Sequence, residues 1–237
     1  WLVKTGEIPT DIEYPVITKA FSPVEGGYKG DFHICENENQ LKRAMDSIES
    51  DMVFLQKYID KKTEICFEGF SYNRGKGMYT GIQTDYIYTT KGYYSPLMNV
   101  YPRKDAELQK KLNAMLAEIG FEGIWEIEFL VDKNNQLYFL EINFRNATWG
   151  YASCVAGSPL PYLWGKAMLT GKAPEQKDFE PFIAMVEPID FGLRVDKGLC
   201  TLTDWITDFK RAKCTYYYND ADPDPWKVVK DNWDILK

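Results

Sequence analysis

Glu128, Glu141, Asn143 and Arg145 are the residues whose types and spacing suggest joint chemistry. Glu141, Asn143 and Arg145 are two apart and so share one face of a strand. Glu128 precedes Glu141 by thirteen positions. Residues 127–131 and 137–142 read as apolar strands bounded by the turn-rich Asp132-Lys133-Asn134-Asn135, so the two glutamates can meet across a hairpin. Two carboxylates and an amide are hard oxygen ligands suited to Mg2+, and an adjacent Arg suits a phosphate. Apolar strands carry such groups at a cost, because unpaired buried charge is expensive, so a use for them is expected. A solvated hairpin face is the alternative this segment leaves open.

The chain that must position these groups has 237 residues, enough to bury a large core in one large or two small domains. Its 45% apolar and 27% charged content is that of an ordinary globular protein. A net charge of -7, with no clustered Lys and Arg, argues against nucleic acid as a partner. Apolar runs are strand-sized and no signal-like amino terminus is present, so no membrane partner and a cytoplasmic location are expected. Cys35, Cys66, Cys154, Cys200 and Cys214 are odd in number and widely spaced, which fits reduced structural thiols. His33 is the only histidine, leaving little material for a histidine metal site or a Ser-His-Asp triad. The chain opens on Trp1 rather than Met, and an upstream segment is expected.

Along the chain, a strand at Tyr14-Pro15-Val16-Ile17-Thr18-Lys19 leads into a turn-rich loop from Ser22 to Gly30. A short strand near Phe32 to Ile34, a helix from Glu38 to Ile48 and a buried strand from Val53 to Ile59 follow. Strand-like runs from Glu64 to Tyr72 and Met78 to Tyr88 are joined by Asn73-Arg74-Gly75-Lys76-Gly77, and a third run precedes Arg103. Helical spacing covers Asp105 to Ile119, stopping at Gly120, and Leu160 to Leu169, ending near Gly171. The tail holds a helix near Thr203 to Arg211, an aromatic strand Thr215 to Tyr218 and a last helix after Asp222-Pro223-Asp224-Pro225.

Four segments in this order resemble the ATP-grasp superfamily over roughly Tyr14 to Gly171. The strand ending in Lys19 and the following Gly26-Gly27 resemble the family's phosphate-binding lysine and glycine-rich loop, whose backbone N–H groups and mobile cation suit a triphosphate. Gln56-Lys57-Tyr58-Ile59 resembles the hinge at which adenine is held, and Glu64 stands where the family places a ribose carboxylate. Glu128 with Glu141-Ile142-Asn143-Phe144-Arg145 resembles the magnesium ladder and its Glu-x-Asn-x-Arg ending. Departures are fewer glycines than usual in the loop, an acidic Glu25 within it, and no upstream lysine apart from Lys4. Gly157-Ser158-Pro159-Leu160-Pro161 and the Asp222-Pro223-Asp224-Pro225 turn look most like the carboxylate-amine ligase branch that includes D-aspartate ligases.

The resemblance implies an α+β ATP-grasp fold of two subdomains with antiparallel sheets clamping the nucleotide. It places this domain in residues 1–172, with the subdomain boundary near 56–60 and a carboxy-terminal extension in 173–237. The implied cofactors are ATP and Mg2+, with Mn2+ as a substitute. The implied activity is carboxylate-amine ligation through an acyl phosphate, with Glu128, Glu141 and Asn143 on the metal and Lys19 and Arg145 on the transferring phosphoryl group. Lys91 and Arg103 are further contacts to test. Bicarbonate activation in the manner of carbamoyl-phosphate synthetase or biotin carboxylase, and a non-catalytic nucleotide-binding domain, are the alternatives. Expected partners are small carboxylate and amine substrates and an upstream amino-terminal domain, with a homodimer left open. The Ser22 to Gly30 loop is expected to close over the phosphates.

Overall fold

A computed structural model of the chain describes residues 1–22, 30–89, 95–103, 105–176 and 178–232. It divides into two compact units, Trp1–Asp60 and Lys61–Lys237. In the first, β1 (Leu2–Lys4), β2 (Val16–Ala20), β3 (Ile34–Cys35), helix α1 (Glu38–Ser47) and β4 (Met52–Lys57) make an antiparallel sheet of order β1-β4-β2-β3 with one helix. Asn37 starts α1 by accepting from the Gln40 N–H. The spacing of Leu41, Ala44, Met45 and Ile48 then gives the helix one apolar stripe, which packs with Val16, Val53 and Leu55 of the sheet.

The second unit contains β5 (Lys61–Tyr72), β6 (Gly77–Tyr86), β7 (Leu97–Tyr101), α2 (Ala106–Ile119), β8 (Gly123–Asp132) and β9 (Leu137–Asn143). It continues through α3 (Gly150–Val155), α4 (Leu160–Thr170), β10 (Phe182–Met185), α5 (Glu187–Arg194), α6 (Leu202–Arg211), β11 (Ala212–Thr215) and α7 (Asp224–Asp231). Its seven-stranded sheet runs β11-β10-β7-β6-β5-β8-β9. Every pair is antiparallel except β10 with β11, which is parallel. Residues 173–237, expected as an extension, thus supply two strands to the main sheet.

This sheet is buried on both faces. On one, Phe67, Trp125, Ile127 and Phe129 pack against Leu112 and Leu116 of α2. On the other, Cys66, Ile82, Met98 and Val100 pack against Trp149 and Ala152 at α3. Gly69 permits a close approach between neighbouring strands, since a Cβ there would lie 2.3 Å from the Tyr79 carbonyl oxygen and 2.5 Å from the Trp125 indole. Among the described residues no helix is long and apolar enough to cross a membrane.

The aromatic run at Thr215 to Tyr218 differs from expectation, because the strand there ends at Thr215. The reason is Glu187, fully buried at the start of α5, whose carboxylate accepts the N–H groups of Tyr216, Tyr217 and Tyr218 at 2.9, 3.1 and 2.8 Å. These donors serve an anion instead of a β-ladder, so the chain wraps around the carboxylate. Strand β10 and helices α3 and α5 were absent from the sequence reading. α3 is a six-residue helix that buries only the small Gly150, Ala152 and Ser153, and α5 is an eight-residue helix with Pro188 in its first turn, so both are too short to show a sustained helical pattern.

Candidate functional site

The hairpin of β8 and β9 sets the site. Val131, Leu130 and Phe129 pair with Leu137, Tyr138 and Phe139; Glu128, Ile127 and Glu126 then pair with Glu141, Ile142 and Asn143. The register shifts by one between Glu128 and Phe129, leaving Leu140 as an extra residue. This β-bulge re-aims the strand. An unbulged hairpin would place Leu140 opposite Glu128. With the bulge, Phe139 joins Phe129 on one face, where the rings meet edge to face at 5.8 Å, and Glu141 joins Glu128 on the other.

Asn143 is the focus of that polar face. Its Nδ2 lies 3.1 Å from Glu126 Oε2, 2.9 Å from Glu128 Oε1 and 3.3 Å from Glu141 Oε1. An amide nitrogen has two hydrogens to offer three carboxylates. On its other side Asn143 Oδ1 accepts from Arg145 Nη2 at 3.3 Å. The carboxylates therefore gather around a donor, and rotating the amide end for end would present an oxygen to a cation at the same focus.

The electrostatics follow from crowding. Burial raises the Glu128 carboxyl first, the charges of Glu126, Glu141 and Glu64 add to it, and its pKa reaches about 8. Glu126, 6% exposed, is also raised by burial, but its hydrogen bond with Glu128, Arg145 and Asn143 oppose the rise. Burial thus raises both carboxyls of this pair above the ordinary carboxylate range. Glu68 is opposite Glu126 on β5 and is wholly buried, with both carboxylate oxygens unpartnered. Burial, then Glu126 and Glu128, push its pKa well up, with Arg145 opposing.

Such a donor set fits Mg2+, which binds through one or two carboxylates together with phosphate oxygens and water rather than in an all-protein cage. Among the described residues no three His, Cys, Asp or Glu side chains form a ready-made metal cage. The residues that would hold Mg2+ are Glu128, Glu141 and, after rotation of its amide, Asn143.

A pH signature follows from the raised Glu128 pKa. Between the ordinary carboxylate range and about 8, the folded chain holds more protons on this group than the unfolded chain, so this contribution to stability falls as pH rises. Removing the charge removes that loss. In metal-free protein, Glu128→Gln is therefore expected to gain melting temperature relative to the parent between about pH 5 and about pH 8. Mg2+ should narrow the difference at the higher pH, because it binds the ionised form. A gap between the two proteins that stays constant with pH would contradict the assignment.

The other sequence-derived residues are distributed as follows. Lys19 is half-buried on β2, on the strand face opposite buried Val16 and Thr18, and makes no ion pair among the described residues. Gln56 and Lys57 are exposed at the end of β4, pairing with Ile17 and Val16. Tyr58 and Ile59 are half-buried, and the Tyr58 N–H already donates to Pro15 O at 3.0 Å. Glu64, 7% exposed, ion-pairs with Lys61 and shares the Glu128 face of the sheet. Arg103 lines a cleft with Met78 and Gln109 beside α2, away from the ladder. Gly26, Gly27, Lys91 and most of the Ser22 to Gly30 loop lie outside the described residues.

Glu126 and Glu68 are the site residues that sequence reasoning missed. Their signal was available, since Glu126 and Glu128 alternate in Trp125-Glu126-Ile127-Glu128, as do Glu64, Cys66 and Glu68.

Residues 4–167 match the family model described as "Carbamoyl-phosphate synthase L chain, ATP binding domain". Among curated relatives, N5-carboxyaminoimidazole ribonucleotide synthase of Staphylococcus aureus (strain MRSA252) is 28% identical over 144 residues, covering 60% of this chain and 37% of the relative. Among solved structures, a biotin carboxylase from Campylobacter jejuni superimposes with a TM-score of 0.58 at 25% identity, covering 73% of this chain and 42% of the other. N5-carboxyaminoimidazole synthetase from Staphylococcus aureus superimposes with a TM-score of 0.62 at 21% identity, covering 83% and 54%. The chain spans little more than a third of the length of that first relative. With the matched residues running through both units and the Glu128, Glu141 and Asn143 focus among them, the chain belongs to the carbamoyl-phosphate synthase L chain ATP-binding family and has the ATP-grasp fold.

Proposed function

We infer that this chain is the nucleotide-binding part of an ATP- and Mg2+-dependent ligase that joins a carboxylate to an amine. The observation that carries this reading is the convergence of Glu128 and Glu141 on Asn143, with Arg145 bonded to the same amide. A carboxylate oxygen attacks the γ-phosphorus of ATP, ADP leaves, and an acyl phosphate results. The amine nitrogen then attacks the acyl carbon, inorganic phosphate departs, and the nitrogen sheds its extra proton. Phosphoryl transfer demands positioning and charge neutralisation more than covalent help. Mg2+, or Mn2+ in its place, would neutralise charge on the phosphates, and Arg145 supplies a planar cation. Lys19 with Gly26 and Gly27 is assigned to the phosphates, Gln56 to Ile59 to adenine and Glu64 to ribose.

Bicarbonate activation is a second reading, favoured by the biotin carboxylase among the structural neighbours, which was solved as a βγ-ATP complex. ADP release distinguishes the two. Stimulation by bicarbonate alone selects the second reading, and stimulation by a carboxylate with an amine, accompanied by amide formation, selects the first. Failure of Mg-ATP to bind at all, measured by calorimetry, would overturn both. The ribose assignment has its own test. Glu64→Ala is expected to weaken ATP binding by about tenfold and spare the rate at saturation, because ribose contacts are alike in ground and transition states. An unchanged ATP affinity would remove Glu64 from the site.

A further inference from the structure

The seven-stranded sheet ends at β11, which among the described residues pairs with β10 alone. A strand at the end of a sheet turns a row of N–H and C=O groups outward. At β11 that edge is recessed. A cleft of about 530 Å³ runs beside it, and all four residues of the strand, Ala212 to Thr215, line it. Ala212 packs on one face of the sheet and Cys214 on the other, so a cavity that touches both borders the edge of the strand rather than a face. The register shift between Ile183 and Ala184 leaves Lys213 as the extra residue, which is why its two neighbours differ in face. Beyond Thr215 the N–H groups of Tyr216 to Tyr218 are taken by Glu187, so the open edge is four residues or about 13 Å long.

Each side of this edge offers an apolar wall and a cation. On the α3 side Tyr151 and Val155 line the cleft with Lys213, whose ammonium lies 5.2 Å from the centre of the Phe182 ring. On the other side Phe209, which packs with Trp205 and Ala212, lines it with Lys210. Lys210 and Lys213 are exposed and make no ion pair among the described residues. They belong to the run Lys210-Arg211-Ala212-Lys213, three cations without an acid in a chain of net charge -7. Asp220 is the one carboxylate on the lining, and it already accepts from the Tyr218 hydroxyl. Edge lysines repel a second basic strand, and by the same charge they select an acidic one. An added strand sends alternate side chains to the two faces, so two neighbouring acidic residues would meet one lysine each.

We propose that the recessed edge of β11 docks an acidic segment of a partner protein in extended conformation, which pairs its backbone with residues 212–215 and sets its carboxylates against Lys210 and Lys213. Main-chain hydrogen bonds supply the affinity and the two lysines the selectivity. This edge lies at the opposite end of the sheet from β8 and β9, so the proposal stands apart from the nucleotide ladder.

The test uses the full chain and the peptide acetyl-Thr-Val-Glu-Glu-Val-Thr-amide, followed by backbone NMR shifts of residues 212–215. Saturable shifts are expected, and added salt should weaken the binding. A copy with lysine in place of both glutamates, and a copy N-methylated at both glutamates, are each expected to bind about tenfold more weakly or worse. The two methyl groups remove one donor from each edge of the peptide, whichever way it lies. Lys210→Glu and Lys213→Glu are each expected to weaken the acidic peptide about tenfold or more, and the double variant to prefer the lysine copy. Both positions are exposed, so melting temperatures close to that of the parent are expected, and the three peptides compared on the parent carry the test if a variant does not fold. Equal affinity for the acidic and lysine peptides would overturn the proposal. So would equal affinity for the N-methylated copy or for glutarate, which would make the cleft a small-anion site. No saturable binding would leave the lysines as guards of a bare edge. Sedimentation showing a dimer of this chain that the acidic peptide dissociates would seat a second copy on the edge, and that too would overturn the assignment to a separate partner.

Discussion

Glu141→Gln is expected to lower Mg-dependent ATP turnover by about a thousandfold or more while leaving the fold intact. Glu141 is exposed, and its hydrogen bond to Asn143 is the longest of the three that converge there. Its removal therefore leaves no buried group orphaned, and it relieves repulsion on Glu128, whose raised pKa the Glu141 charge helps to cause. The charge that a divalent ion requires is lost all the same, because glutamine offers a neutral oxygen in its place. Steady-state ADP release and thermal melting measured side by side check both halves. Turnover within about tenfold of the parent, or a markedly lower melting temperature, would show that Glu141 serves the hairpin rather than the metal.

Arg145→Ala is expected to reduce the maximal rate by about a thousandfold with little change in the Michaelis constant for ATP, as for a group whose charge acts mainly on the transferring phosphoryl. Arg145 is exposed and its hydrogen bond is to the outer oxygen of Asn143, so the guanidinium is held at the rim of the ladder rather than committed to a buried ion pair. Arg145→Lys should recover only part of the loss, since an ammonium is a point charge and cannot reproduce a planar two-pronged contact. A full recovery would mean that charge alone suffices. An increase confined to the Michaelis constant would move Arg145 from phosphoryl transfer to ground-state binding.

Much of this molecule can be read locally. The apolar spacing and caps of α1 and α2 identify them, because Asn37 and Asp105 bond to their first turns and Gly120 takes the left-handed conformation at the end of α2. Thr201 and Asp204 do the same for α6 through a reciprocal capping box. Strand alternation likewise places Glu141 and Asn143 on one face. What alternation cannot supply is the neighbour. Glu68 meets Glu126 through the pairing of β5 with β8, strands separated by β6, β7 and α2, and each glutamate alone looks like an ordinary polar residue in a strand. Nor does the sequence disclose the register, because the pairing that closes the hairpin tip leads to Leu140 rather than Glu141 opposite Glu128. The wrap of Tyr216 to Tyr218 around Glu187 is hidden for the same reason: the acceptor that displaces the ladder comes from a distant segment.

The extra residue at Leu140 divides the hairpin into two phases, and the ladder tolerates changes in chain length both at the tip and at the bulge. At the tip, Asn134 and Asn135 are exposed, and Asn135 has a positive φ of 62°, so sequence inserted there would lengthen the loop without disturbing the pairs on either side. Losing one residue at Leu140 would put the strand segments on its two sides into a single phase. Regular pairing from the tip would then still set Glu141 opposite Glu128, Ile142 opposite Ile127 and Asn143 opposite Glu126, on the faces they occupy now. A gap of one residue at this point in a homologue would therefore predict the loss of the bulge and not of the ladder, and a long insertion at the tip a few residues earlier would likewise leave the carboxylates in place. The exposed Asn134 and Asn135 tip is thus a place to graft a reporter peptide onto the domain while keeping the carboxylates in register.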